Sequence, residues 1–138
     1  MRTAQILSVI ALLGLALGMS SVEPATDPRL KGGSRRPELN GWIFVHLQGS
    51  PSEIGFQHGY LLAEEIAEAQ KVLELNLTHD TEKPYAFFRE TAEKVLWPRV
   101  EEEYRQELEA IVAGLKARNV ALDIWDVVVM NATLELPY

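Results

Sequence analysis

The chain has 138 residues and a formal net charge of -7, with 20 Asp and Glu residues against 13 Lys and Arg residues. This acidic balance repels phosphate backbones and argues against nucleic acid as a partner. Hydrophobic residues make up 47% of the chain and charged residues 24%, which is the profile of one globular domain and not of a disordered segment. Because the chain has no cysteine, the composition also excludes disulfides, thiolate metal sites and a cysteine nucleophile among these residues.

Residues 1–21 have the pattern of a signal peptide. Arg2 gives a positively charged start, residues 6–17 form an apolar run, and Ala16 and Gly18 offer the small residues that a signal peptidase prefers. The apolar run is short for a bilayer span. We therefore expect an exported protein, periplasmic or extracellular, with no stable membrane span after signal cleavage. An uncleaved anchor is the alternative.

Residues 22–40 are rich in proline, glycine and basic side chains, which predicts an extended leader that is ordered only on a partner surface. Residues 42–48 are rich in aromatic and β-branched residues and are predicted to form one strand. Because both faces of this strand are apolar, apart from His46, we expect both to be covered. A lone strand cannot satisfy its own backbone groups, so we expect it to pair with another polypeptide or to belong to an incomplete domain.

A capping signal predicts where the first helix begins. Ser50 offers a hydroxyl at the N-cap, Pro51 follows at the first helical position, and the carboxylate of Glu53 can reach back to the N-cap amide. Apolar residues then recur at steps of three and four, which predicts one helix over about 51–78. The predicted inward positions are Ile54, His58, Leu61, Leu62, Ile66, Ala69, Leu73 and Leu77.

Two further helices are predicted, over about 85–117 and 124–135. Pro98 lies inside the first of them, where it removes a backbone donor, so we expect a kink or a short break at Trp97. Asp123 is a suitable N-cap for the second. The predicted fold class is therefore mainly α with one N-terminal β-strand (α+β).

Two glycines interrupt the first predicted helix at a spacing of four residues. Gly55 and Gly59 should each cost up to about 1 kcal/mol relative to alanine in a helix interior, so their presence needs a reason. Since glycine lets another backbone approach closely, we interpret the pair as a contact strip, packed against residues 42–47 or against a further domain. A direct role in substrate binding is the alternative.

The remaining polar residues do not form a recognisable catalytic set. His58 lies on the apolar stripe, where a histidine is more often a core residue with a hydrogen-bonded ring nitrogen than a catalyst. His46 and His79 lie far from it in sequence, and no pair has the spacing of a helical metal site. The glutamates within 101–109 have Arg99 and Arg105 beside or among them, which predicts a solvated face. We therefore predict no metal, no cofactor and no catalytic residue in this chain.

Two stretches resemble a known enzyme family. Residues 49–62, Gly-Ser-Pro-Ser-Glu-Ile-Gly-Phe-Gln-His-Gly-Tyr-Leu-Leu, resemble the opening motif of the isopenicillin N acyltransferase-like cysteine hydrolases. These belong to the N-terminal-nucleophile (Ntn) hydrolases and are related to the phospholipase B-like proteins. Residues 120–138 are similar to the helix that precedes the nucleophile in that family. The resemblance covers residues 41–138, and its structural or pocket-lining positions are Gly55, Gln57, His58, Gly59, Asp123, Asn131 and Glu135.

The resemblance implies a precursor that folds as a four-layer αββα sandwich and cuts its own chain just before a cysteine. The new N-terminal cysteine then attacks an amide or ester acyl group, with its free amine as base. The region before the cut corresponds to the small α subunit, and its partner is a downstream catalytic β-subunit-like domain. The chain is then expected to be the N-terminal fragment of an exported autoproteolytic acyltransferase or amide hydrolase, inactive alone. A small secreted helical interaction module without catalysis is the alternative.

Overall fold

A computed structural model describes residues 27–133. The predicted signal peptide, the first part of the predicted leader and Glu135 lie outside the described residues. The described part is mainly helical, with one short antiparallel sheet of two strands. No helix among residues 27–133 combines the length and the apolar character needed to cross a membrane.

The secondary structure consists of a β-hairpin followed by five α-helices. The two strands are β1 (Ser34–Arg35) and β2 (Val45–His46), and the helices are α1 (Pro51–Leu61), α2 (Ala63–Thr81), α3 (Tyr85–Thr91), α4 (Glu102–Ala117) and α5 (Ile124–Ala132). A π-helical turn covers Ala92–Leu96, and 3-10 turns cover Pro28–Leu30 and Trp97–Arg99.

The prediction of a single strand over 42–48 is wrong, because the leader itself supplies a partner strand. Ser34 pairs with His46 and Arg35 with Val45 in an antiparallel register. Asn40 and Gly41 form the turn, with φ of 54° and 80°. Two consecutive positive φ values are typical of a type I′ hairpin turn, in which Asn-Gly is the favoured pair. The leader is therefore ordered from Asp27 onward by the chain's own fold, not by a partner surface.

The predicted helix 51–78 is divided at Leu62 into α1 and α2. Leu62 has φ of -117° and ψ of 24°, outside helical values. Beside it, the Arg35 guanidinium donates a hydrogen bond of 2.7 Å to the carbonyl oxygen of Leu61 and pairs with the Glu65 carboxylate at 2.7 and 2.8 Å. A side chain that enters the backbone ladder of a helix bends it. The division into α1 and α2 thus coincides with a contact from Arg35 of the hairpin, and the apolar periodicity of residues 51–78 gives no sign of that contact.

The predicted helix 85–117 is also divided, at the expected place. The chain passes from α3 through the π turn to the 3-10 turn that contains Pro98, and Val100 is extended, with φ of -72° and ψ of 128°. Arg105 then donates hydrogen bonds to the carbonyl oxygens of Val100 and Trp97 at 2.9 and 3.0 Å. One side chain thus bonds to two carbonyl groups beside the break, in addition to the Val100 N–H that donates to Trp97 at 3.1 Å.

The hydrophobic core has two clusters, which meet at α5. The first lies between α2, α4 and α5, and the second between α2, α3, the π turn and α5. The buried members are Ala63, Ile111, Val112, Leu115 and Val127 in the first cluster, and Leu77, Phe88, Ala92, Val128 and Val129 in the second. Consecutive residues of α5 thus serve both clusters, so this short helix joins the two halves of the bundle.

Candidate functional site

The glycine strip of α1 is a helix–helix contact. A Cβ atom built on Gly55 would lie 2.1 Å from the carbonyl oxygen of Glu107, and one on Gly59 would lie 2.1 Å from that of Ile111. From the opposite side, a Cβ on Gly114 would lie 2.4 Å from the carbonyl oxygen of Phe56. The expected close backbone approach is therefore present, but the partner is α4 and not the strand over residues 42–47.

Gln57 is the residue of this motif with the most hydrogen bonds. Its side chain is fully buried. The amide oxygen accepts from the Gln48 N–H at 2.9 Å, and the amide nitrogen donates to the carbonyl oxygens of Arg29 at 2.8 Å and Gln48 at 2.9 Å. Since Gly33 also packs against the Gln57 side chain, one buried amide holds both ends of the hairpin on α1.

His58 faces a cavity of about 660 Å³ between α1, α4 and α5. Burial lowers the pKa of His58, and the nearby Glu107 carboxylate opposes that effect only in part. No hydrogen bond joins the imidazole to another residue of 27–133. The ring is half-buried and lies at the edge of an open space, and the expectation that one of its nitrogens is hydrogen-bonded stays a prediction. The cavity is lined by His58, Val100, Tyr104, Glu107, Leu108, Ile111 and Asn131.

Asp123 caps α5 as the sequence predicts, and it also joins an ion-pair network. Its carboxylate accepts from the N–H groups of Trp125 and Asp126 at 2.9 and 3.3 Å, and Asp126 accepts in return from the N–H of Asp123 at 3.0 Å. Arg89 of α3 binds both carboxylates, with Asp123 at 2.6 Å. Burial by itself would raise the pKa of Asp123, but the hydrogen bonds from Arg89 and the two backbone amides outweigh it and lower the pKa.

Asn131 is exposed and lines the same cavity as His58. Its side-chain nitrogen donates to the carbonyl oxygen of Val127 at 2.9 Å, while its amide oxygen accepts no hydrogen bond from another residue of 27–133. The structure therefore brings His58 and Asn131 together, whereas Gly55, Gly59 and Gln57 serve packing. Asp123 lies at the opposite end of α5 from Asn131.

The hairpin carries an apolar face that no described residue covers. From Trp42 to Leu47 the side chains alternate between exposed and half-buried positions. On the exposed face, Leu39 is 63%, Trp42 is 70% and Phe44 is 51% exposed. Cross-strand neighbours share a face of a sheet, and the Leu39–Trp42 bridge makes these residues one patch. We call Leu39, Trp42 and Phe44 the open face.

Sequence reasoning missed two of these features. The Asn40-Gly41 turn has a sequence signal, since this dipeptide between two apolar segments is the strongest short-range hairpin indicator. The role of Gln57 has no comparable signal, because its partners are backbone groups 9 to 28 residues away. Among residues 27–133, no group of three or more histidine, aspartate or glutamate side chains is arranged to hold a metal ion.

No protein-family model matches the chain, and neither a curated protein nor a solved structure is significantly similar to it.

Proposed function

We propose that the chain is the N-terminal, α-subunit-like part of an exported, autoproteolytic acyltransferase or amide hydrolase of the cysteine Ntn type. In this proposal the helical region and its hairpin form one outer layer of an αββα sandwich. The chain is inactive by itself, because the nucleophilic cysteine belongs to a downstream β-subunit-like domain and the 138 residues contain none.

The observation that carries the proposal is the open face. A two-stranded hairpin needs further packing for stability, and an exposed apolar patch marks a surface that contacts a protein, a membrane or a ligand. Here Gln57 holds both ends of the hairpin on α1, while the open face presents Trp42 and Phe44 to solvent. An outer helical layer that packs on a sheet needs such a surface, and the motif residues 49–62 lie directly after it.

The first experiment is to read the coding DNA that follows the codon for Tyr138. We expect an in-frame segment with Cys-Ser or Cys-Thr, followed by a strand-rich domain. Expression of the whole frame should then give two polypeptides by intact mass, and substitution of that cysteine by alanine should give one uncut precursor. A downstream frame without such a cysteine would contradict the proposal and favour the secreted helical interaction module.

A second experiment tests the open face itself. With the downstream domain expressed separately, Trp42→Ser should weaken its capture by the chain, because a central aromatic contact is lost. The matched control is Val72→Ser, which also removes an exposed apolar side chain, 57% exposed, but from α2. Equal capture of the downstream domain by the two variants would show that the open face does not form the contact.

A further inference from the structure

The cavity beside His58 has both a large volume and polar lining residues. Its volume of about 660 Å³ lies in the range of small-molecule sites. A neighbouring cavity of about 210 Å³ shares His58, Ile111 and Asn131 as lining residues, and it adds the apolar side chains of Ile66, Val127 and Met130. The two spaces therefore combine a polar rim with an apolar interior.

The rim has acceptors for hydrogen bonds and one formal charge. Glu107 makes no ion pair with another residue of 27–133, although it lines the cavity and is half-buried. Tyr104 contributes an aromatic ring and Asn131 an amide oxygen. No lysine or arginine lines either space. A negative charge beside an aromatic ring and an apolar wall suits a cation with a hydrocarbon chain.

From this arrangement we propose that the His58 cavity is a binding site for an alkylammonium group. The ammonium lies between the Glu107 carboxylate and the Tyr104 ring and donates hydrogen bonds to Glu107 and to the unprotonated nitrogen of His58. The hydrocarbon chain lies against Leu108 and Ile111. A free amine and a lysine side chain share this chemistry. The site is independent of the proposed acyl-transfer function and would remain if that function were wrong.

His58 makes the proposed site sensitive to pH. The titratable groups that line the two spaces are His58 from α1 and Tyr104 and Glu107 from α4, while the lining residues of α2 and α5 carry none. Because burial holds the pKa of His58 below its usual value, the imidazole is neutral at pH 7 and its unprotonated nitrogen can accept a hydrogen bond from the ammonium. Protonation of His58 places a second cation beside the ammonium, so binding should weaken as the pH falls.

The test is an NMR titration of the full chain, labelled at its three histidines, with n-hexylammonium chloride. A His58→Asn spectrum assigns the His58 signals. We expect saturable shifts of these signals and a further fall in the pKa of His58 in the bound state. n-Hexanol and hexanoate, which have the same chain length, should bind more weakly. A parallel titration uses Nα-acetyl-lysine methylamide, which carries a lysine side chain. Comparing its affinity with that of hexylammonium shows whether the site prefers a lysine side chain or a small free amine.

Two substitutions on one helix complete the test. Glu107→Gln should weaken hexylammonium binding by about tenfold or more, as expected for loss of a charge-assisted hydrogen bond. Glu109→Gln, an exposed change on the same helix, should leave binding unchanged. Unchanged affinity of Glu107→Gln, equal binding of hexanol and hexylammonium, or unmoved His58 signals would each overturn the proposal. Circular dichroism confirms that both variants keep the helical fold.

Discussion

Gly59 and Ile111 approach so closely that a Cβ atom on Gly59 would lie 2.1 Å from the Ile111 carbonyl oxygen. Real Cβ atoms do not come this near to backbone oxygen, so α1 and α4 must move apart to accept any side chain there. Gly55 and Gly114 extend the same contact along both helices. The backbone of one helix is thus the surface against which the other packs, which accounts for glycines in an otherwise well-capped helix.

Gly59→Ala should therefore lower the free energy of unfolding by about 1–3 kcal/mol, the range for overpacking a tight contact, despite the better helix propensity of alanine. Urea denaturation at pH 7 measures the change. Ser52→Ala, exposed in the same helix, is the control and should stay within about 0.5 kcal/mol of the wild type. A more stable Gly59→Ala variant would mean that the two helices are not in contact in solution.

Gln57→Ala should detach the leader from α1. The substitution leaves the Gln48 N–H and the carbonyl oxygens of Arg29 and Gln48 without their partner, and each unsatisfied buried group costs roughly 1–3 kcal/mol unless water enters. We expect faster hydrogen exchange at the Gln48 amide and faster tryptic cleavage after Lys31. Gln106→Ala removes an exposed glutamine of α4 and serves as the control. Unchanged cleavage in Gln57→Ala would show that other contacts hold the hairpin.

Asp123→Asn separates the charge of this residue from its capping role, because asparagine is also a good N-cap. The folded-state pKa of Asp123 is below its unfolded value near 3.8, so its ionic contribution is present above that pH and is lost as the pH falls through the folded-state value. The wild type should therefore be more stable than Asp123→Asn at pH 7, and the difference should shrink below about pH 3.8. Thermal unfolding from pH 7 to pH 2 measures it. A difference that is constant with pH would contradict the ion pair with Arg89.

Trp42→Ser should change the stability of the isolated chain by less than about 1 kcal/mol, the size of one cross-strand pair, because the side chain is 70% exposed. Phe56→Ala is the contrasting variant, since Phe56 is fully buried and its truncation should cost about 3–5 kcal/mol. Urea denaturation compares the two. A large loss in Trp42→Ser would show that the open face is covered within the chain itself.

The sequence alone determined the features that depend on neighbouring residues. The capping box at Ser50 and the N-cap at Asp123 are present as predicted, since their donors and acceptors lie within three residues of each other. The break near Pro98 follows in the same way from a single residue with a strong conformational preference. Periodicity likewise predicted a mainly helical chain, which the structure confirms.

Only the tertiary structure decided which surfaces meet. The hairpin requires a register between residues about ten positions apart, and the bend at Leu62 requires Arg35 to reach across from that hairpin. The glycine strip predicted a close backbone contact. It did not predict that α4 is the partner, because any helix or strand can pack against a surface without side chains. His58 likewise lies beside an open cavity because of where α4 and α5 pack. Local chemistry fixes where helices begin and end, whereas long-range packing fixes what their side chains face.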